Sequence, residues 1–254
     1  DEEFAFVARC NHGSEHMPSE HEARLQRIAR RRWWRTLDDR LGLSDAELAR
    51  CSDMAAHALP AEEQLLQDRA EHIVERGESN HFGPGNPWGF QMIPPRHLYN
   101  HGELYSLRIA HGTLTEEERF KIKEHIVETI IMLSRLPFPS DLSEVPEMAG
   151  GHHETMDGAG YPRGLLREQM SVSARIMAIA DIFEALTACD RPYKAAKSIT
   201  ESLAIMEDMC RRNVLDRDLF QLFVEQGLWK DLAVNDGKSS PKRATHPHAA
   251  PIEA

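Results

Sequence analysis

The chain has no paired cysteines, no long apolar run and no surplus of positive charge, and each shortage removes a class of protein. Its four cysteines, Cys10, Cys51, Cys189 and Cys210, lie far apart without a CxxC pair. This argues against a disulfide framework or a zinc ribbon and fits a reducing cytoplasm. No stretch approaches the roughly 18 apolar residues that a membrane span needs, and no signal peptide opens the chain. Lysine and arginine total 30 against 41 aspartates and glutamates, a net charge of −11. A general binder of nucleic-acid polymers is therefore excluded, because phosphate repulsion over most of the surface goes unopposed. An anionic ligand needs a locally basic or metal-lined pocket. The chain begins at Asp1 without a methionine, which reads as a fragment whose upstream sensor or membrane segment lies elsewhere. Internal repeats and strand-type alternation are also missing, so the expected fold class is all-α.

What is present suffices for a core: 41% of residues are hydrophobic and 28% charged. Residues 19–39 read as an arginine-rich helix that packs Trp33 and Trp34 inward, with an anion-binding or partner face as the alternative. Ser44 opens another helix, with Glu47 completing a capping box. Prolines and glycines from Gly77 to Asn100 break any helix and predict a long irregular segment. Thr115, with Glu118, caps a helix whose buried stripe is Ile122, Ile126, Thr129, Ile130 and Leu133; Pro137 and Pro139 end it. A short helix near 142–150 leads into a turn-rich stretch, 152–164. Residues 173–188 then form a helix apolar nearly all round, expected at the centre of the core. Amphipathic helices follow at 200–211 and 216–226. From Asn235 the chain offers too little apolar surface to offset the entropy of ordering, and a disordered tail is expected.

Fourteen histidines stand out, and position decides which carry chemistry. His152 and His153 adjoin a helix end, where both rings can enter one cavity. Asp181 lies in the apolar run 176–186. Burial of an unpaired carboxylate costs several kcal/mol, so Asp181 calls for a metal or cation, or for the plainer salt bridge to Arg175 or Arg191. His125 falls on or beside the buried stripe of its helix. Together His125, His152, His153 and Asp181 make a nitrogen and carboxylate set suited to zinc, manganese or iron rather than calcium.

The segment His152-His153-Glu154-Thr155-Met156-Asp157-Gly158-Ala159-Gly160-Tyr161-Pro162 resembles the HHExxDGxGYP signature of the HD-GYP family. Downstream, Ala178-Ile179-Ala180-Asp181-Ile182-Phe183-Glu184-Ala185-Leu186-Thr187 and Asp190-Arg191-Pro192-Tyr193-Lys194 match that family's next motifs. Upstream, Gly112-Thr113-Leu114-Thr115 and Lys123-Glu124-His125 fit as well. The likeness covers roughly 102–227. It implies an HD-domain-like helical bundle with a long irregular insertion and a disordered C-terminal tail, divided as 1–57 (helical segment), 58–101 (insertion), 102–234 (metal-binding core) and 235–254 (tail). It further implies a divalent transition metal (iron, manganese or zinc) held by His125, His152, His153 and Asp181, and hydrolysis of cyclic di-GMP in bacterial signalling. Glu184, Arg191 and Lys194 would face the cyclic dinucleotide, and Gly160, Tyr161 and Pro162 would rim its pocket. The same loop is a candidate surface for a protein partner, and homodimerisation fits the signalling role.

The sequence departs from the family in two respects: no His-Asp dipeptide, the family's metal-bridging dyad, occurs anywhere, and the histidine that the family carries on its first helix has no clear match. The helix from Ser44 that should lead into the dyad runs instead into His57-Ala58-Leu59-Pro60, and Gln26 and Arg27 occupy the neighbourhood of the first-helix histidine. The bridging aspartate is thus lost, and a single ion at a remodelled site is expected. His57, Glu62, Glu63, His72, His97 and His101 are candidate replacements. Two readings follow: a phosphodiesterase with a remodelled or mononuclear site, which the four retained ligands favour, or a catalytically impaired module that binds a nucleotide or a protein.

Overall fold

The computed structural model describes residues 1–13, 16–52, 58–77, 81–188 and 196–230. His57, Cys189, Arg191, Lys194 and the tail from Asn235 fall outside the described residues. The chain divides into two compact units, one comprising Asp1–Pro146 with Tyr161–Gly164, the other Glu147–Gly160 with the chain from Leu165 onward. Helices dominate both, as an all-α class requires, and the strands among the described residues form only two small antiparallel pairs.

In the first unit α1 (Glu2–His12) and α2 (Ser19–Ala29) bury Phe6, Leu25 and Ile28, and Leu107 of the short α4 (Glu103–Leu107) completes that cluster. The arginine-rich helix is shorter than expected. After Ala29 the chain turns into β1 (Arg32–Arg35), paired with β2 (Ala61–Gln64). Trp33 and Trp34 are exposed rather than packed inward. The residue driven inside is Arg35, whose guanidinium bonds Glu63 at 2.9 Å, Asp39 at 3.0 Å and the Leu37 carbonyl. A buried charge with this many partners outweighs the helical propensity of the run. Between the strands α3 (Asp45–Arg50) starts on the Ser44–Glu47 capping box, as expected. The irregular segment is less irregular than its prolines suggested: β3 (Ile73–Glu75) pairs with β4 (His97–Asn100) across a bulge.

The long helix α5 (Glu116–Ser134) carries the predicted Thr115–Glu118 capping box. Its buried face is Phe120, Ile126, Val127, Ile130 and Ile131, packed with Phe90. Ile122, expected in the stripe, is 56% exposed, so the face is rotated from the predicted one.

The second unit is built from α6 (Val145–Gly151, all but its first two residues), α7 (Val172–Thr187), α8 (Ile199–Arg211) and α9 (Arg217–Glu225). Ala178, Ile179 and Phe183 of α7 meet Met206 and Cys210 of α8 and Phe220 and Phe223 of α9 in its main core. Asp216 caps α9, its Oδ1 accepting the N–H groups of Asp218 and Leu219. Its Oδ2 accepts Arg167 Nε at 3.0 Å and Arg175 Nη1 at 2.5 Å. Burial alone would raise this carboxyl's pKa, but the hydrogen bonds from Arg167, Leu219 and Arg175 hold it below the usual range.

Candidate metal centre

Helix α6 ends in two buried glycines, Gly150 and Gly151. A Cβ on Gly151 would lie 2.9 Å from the Cβ of Ala174, so only glycine lets the end of α6 close against α7. His152 and His153 occupy the turn that follows, both half-buried. Their ring centroids are 4.1 Å apart at a tilt of 44°. The Nδ1 of His152 lies 2.8 Å from the Ala149 carbonyl, three residues back. An N–H donated there puts the proton on Nδ1 and the lone pair on Nε2, the arrangement a metal-ligating imidazole needs. In the first unit, His125 of α5 repeats the device, with Nδ1 2.5 Å from the carbonyl of Ile122. It is exposed, beside rather than on the buried face of α5.

Glu154, which the sequence reading left without a role, braces the loop after the histidines. It is 2% exposed, and its Oε2 accepts the Leu165 N–H at 2.8 Å. Gly160 presses on the same place: a Cβ there would collide with Glu154 Cα and Thr155 N. Asp157 closes the intervening turn by accepting Thr155 Oγ1 at 2.5 Å and Ala159 N–H at 3.0 Å. Those two bonds hold its carboxyl below the usual carboxylate range. Gly158, at φ +79°, supplies the left-handed backbone that the turn requires. The tip of the loop belongs to the first unit. There Tyr161 lies under Lys123 Nζ at 4.9 Å, the Pro162 carbonyl accepts the Gln91 N–H at 2.8 Å, and Arg163 Nε donates to the Trp88 carbonyl at 2.9 Å. Pro162 is fully buried, so here the Gly-Tyr-Pro segment anchors the loop.

Asp181 is exposed, not buried. The α7 face that meets the core is Ala174, Ala178, Ile179 and Phe183, while Ile176 stays 51% exposed. The apolar composition of the run therefore misled, and no desolvation cost demands a countercharge at Asp181. Position is the better argument. Asp181 lies seven residues, two turns, beyond Ala174 on the same line of α7, and Ala174 is the residue that meets Gly151 just before His152. Glu184, one turn further, is exposed too. Arg175, the salt-bridge alternative for Asp181, is committed to Asp216.

The proposed replacements for the missing dyad have other work. Glu63 bonds Arg35 and Arg69, Glu62 bonds Arg32, and His97 Nδ1 lies 3.3 Å from Glu75. The Nδ1 of His72 accepts the Arg69 N–H, and His101 stacks on Tyr99. Among the described residues, no carboxylate or histidine of 58–101 forms a donor group with His125.

With the fold and these donors in place, comparison with known proteins defines the class. The family model for the HD domain matches residues 51–219. The chain belongs to the HD domain family, and its signature and relatives make it of the HD-GYP type. It is 44% identical over 97 residues to 3'3'-cGAMP-specific phosphodiesterase 3 of Vibrio cholerae serotype O1, covering 38% of this chain and 20% of that protein. Similarity to a cyclic di-GMP phosphodiesterase of Thermotoga maritima is 40% over 98 residues, 39% of this chain and 26% of the relative. The cyclic di-GMP phosphodiesterase response regulator RpfG of Xanthomonas campestris pv. campestris shares 33% over 184 residues, 72% of this chain and 42% of the relative. The chain thus spans between a fifth and about two fifths of these relatives. HD domains are metal-dependent phosphohydrolases, so a divalent ion belongs to the chemistry of the domain. The donors present fit one: imidazoles whose Nδ1 atoms are spent on backbone carbonyls suit a transition metal. Among the described residues no helix is long and apolar enough to cross a membrane.

Proposed function

We propose that the chain is a metal-dependent phosphohydrolase that opens a cyclic dinucleotide, cyclic di-GMP or a close relative, at a remodelled site with one transition-metal ion. The observation that carries this is the His152–His153 pair, fixed at a helix end with His152 Nδ1 on a backbone carbonyl. His125, His152, His153 and Asp181 would hold iron, manganese or zinc. When bound, such an ion acidifies a water and offsets the charge that builds on the phosphoryl oxygens. The chain's own residues do the positioning. The carbonyls of Ala149 and Ile122 fix the ring tautomers, and Glu154 with Gly160 holds the loop that follows the ligands. Glu184, Arg191 and Lys194 would meet the sugar–phosphate ring, the two cations supplying charge that the acidic chain otherwise lacks. In the reaction the water oxygen joins phosphorus, one P–O ester bond breaks, and the released ribose oxygen takes the proton.

A second reading, a module that binds the nucleotide with little hydrolysis, is favoured by the lack of a His-Asp dipeptide and, among the described residues, of any donor from 58–101 in a ligand group with His125. Metal analysis of the full chain, with chromatography of cyclic di-GMP and 3'3'-cGAMP incubated with it, separates the two. The enzyme reading expects about one ion per chain and linear dinucleotide that disappears in Asp181→Ala. Metal and nucleotide binding without turnover would establish the second reading. Protein that cannot be loaded with zinc, manganese or iron would refute both.

A further inference from the structure

The histidines of the N-terminal region remain unused by this chemistry, and they surround a cavity of about 530 Å³ in the first unit. We infer that this cavity is a second ligand site, taking a small planar aromatic acid. It opens where the end of α1 and the start of α2 face β4, α4 and the start of α5. Its size lies within the range of small-molecule pockets.

The floor is apolar. Phe6 and Leu107 are buried members of the local core, and Cys10, Met17 and Ile109 extend that surface. The rim has the opposite character: Arg9, His12, His16, His21 and His101 all line it. Arg9 is exposed and makes no ion pair with any described residue. Glu118 is the only carboxylate among the described lining residues, and its Oε2 is spent on the Thr115 N–H at 2.9 Å. Counted as the chain's −11 is, with histidines neutral, the described lining is balanced between Arg9 and Glu118. With Glu118 engaged at Thr115, the Arg9 guanidinium and the imidazole N–H groups offer an anion donors that the acidic surface elsewhere opposes.

Two features select an aromatic body for that anion. His21 stands edge-on to Phe6, with centroids 5.4 Å apart at 87°, and His101 stacks on Tyr99 at 5.5 Å and 18°. Ring faces and edges therefore border both the floor and the rim, where another flat ring gains from offset or edge contacts. A simple inorganic anion would leave the apolar floor uncovered. A metal is not the better occupant either: among the described residues the rim histidines do not form a set of three donors close enough to share one ion. Because α1 and α2 precede the matched HD segment 51–219 while β4, α4 and α5 lie inside it, occupancy would tie the N-terminal helices to the HD segment. That makes the pocket an input site distinct in sequence from the expected ligands.

Isothermal titration of the full chain with 2-naphthoate, 2-naphthalenemethanol and inorganic phosphate tests this. The expected result is saturable binding of one 2-naphthoate per chain in the micromolar to low millimolar range, and at least about tenfold weaker binding of the alcohol. Phosphate should not compete. Arg9→Glu, at an exposed position, should keep the melting temperature and weaken 2-naphthoate about tenfold or more. Absence of saturable binding, equal affinity for the alcohol, or an Arg9→Glu variant that binds like the parent would each overturn the inference.

Discussion

Two regions of this chain are rich in histidine, and they differ in how the rings are held. At the end of α6 the rings of His152 and His153 are half-buried and 4.1 Å apart, with His152 bound to its own helix through Nδ1. Around the N-terminal cavity, His12, His16, His21 and His101 are exposed, and the contacts of His21 and His101 are with aromatic rings. Backbone carbonyls fix a tautomer and a direction, which a metal needs; ring contacts leave a broad basic and aromatic surface, which an organic anion needs. Histidine count separates neither region from the other. The backbone carbonyl that holds His152 Nδ1 is what marks the α6 end.

The sharpest way to break this contrast is metal content. His152→Ala or His153→Ala should weaken metal binding by more than the roughly 10- to 100-fold that loss of an outer-sphere partner costs, while His12→Ala and His101→Ala leave it unchanged by mass spectrometry or elemental analysis. Equal losses from both regions would erase the distinction. Next in size is the frame beneath the α6 region. Asp216→Asn leaves the half-buried Arg175 without its counter-charge and should cost about 2 kcal/mol in urea unfolding, less than for a fully buried pair. Because the folded carboxyl titrates below its unfolded value, this stabilisation is complete above the unfolded value of about 3.9 and vanishes as pH falls through the folded one. Parent and variant curves should therefore begin to approach each other only below about pH 4 and meet once pH has fallen past the depressed folded value. Gly160→Ala, which drives a methyl into the Glu154 backbone, should cost about 2 kcal/mol and weaken metal binding although it removes no donor. Unaltered metal affinity would mean that the loop does not orient the histidines. The smallest effect is expected from Glu154→Gln, which keeps an oxygen for the Leu165 N–H and should cost about 1 kcal/mol.

Local signals carried most of the fold. The capping boxes expected at Ser44 and Thr115 are present in the structure, and helices α5, α7, α8 and α9 begin within two residues of their predicted starts. Signals that depend on a distant partner were not legible. Arg35 enters the interior only because Glu63, 28 residues away, meets it there, so 32–35 becomes a strand instead of prolonging a helix. Asp181 shows the converse error. An apolar run implies burial all round, yet α7 covers one face and leaves Ile176 and Met177 exposed. The histidine pair was legible because its spacing is local. The brace at Glu154 was not, since its partner, Leu165, lies 11 residues on across a turn whose geometry the sequence does not state.

Asp216 has a consequence for how this sequence can change. One carboxylate caps α9 with one oxygen and receives Arg167 and Arg175 on the other. Each arginine's worth thus depends on the aspartate, and single substitutions across the three positions should be strongly epistatic: loss of Asp216 first is harmful, while its loss after both arginines have become apolar is close to neutral. The cluster separates two sequence neighbourhoods by a fitness valley, and homologues should carry all three charges together or none of them.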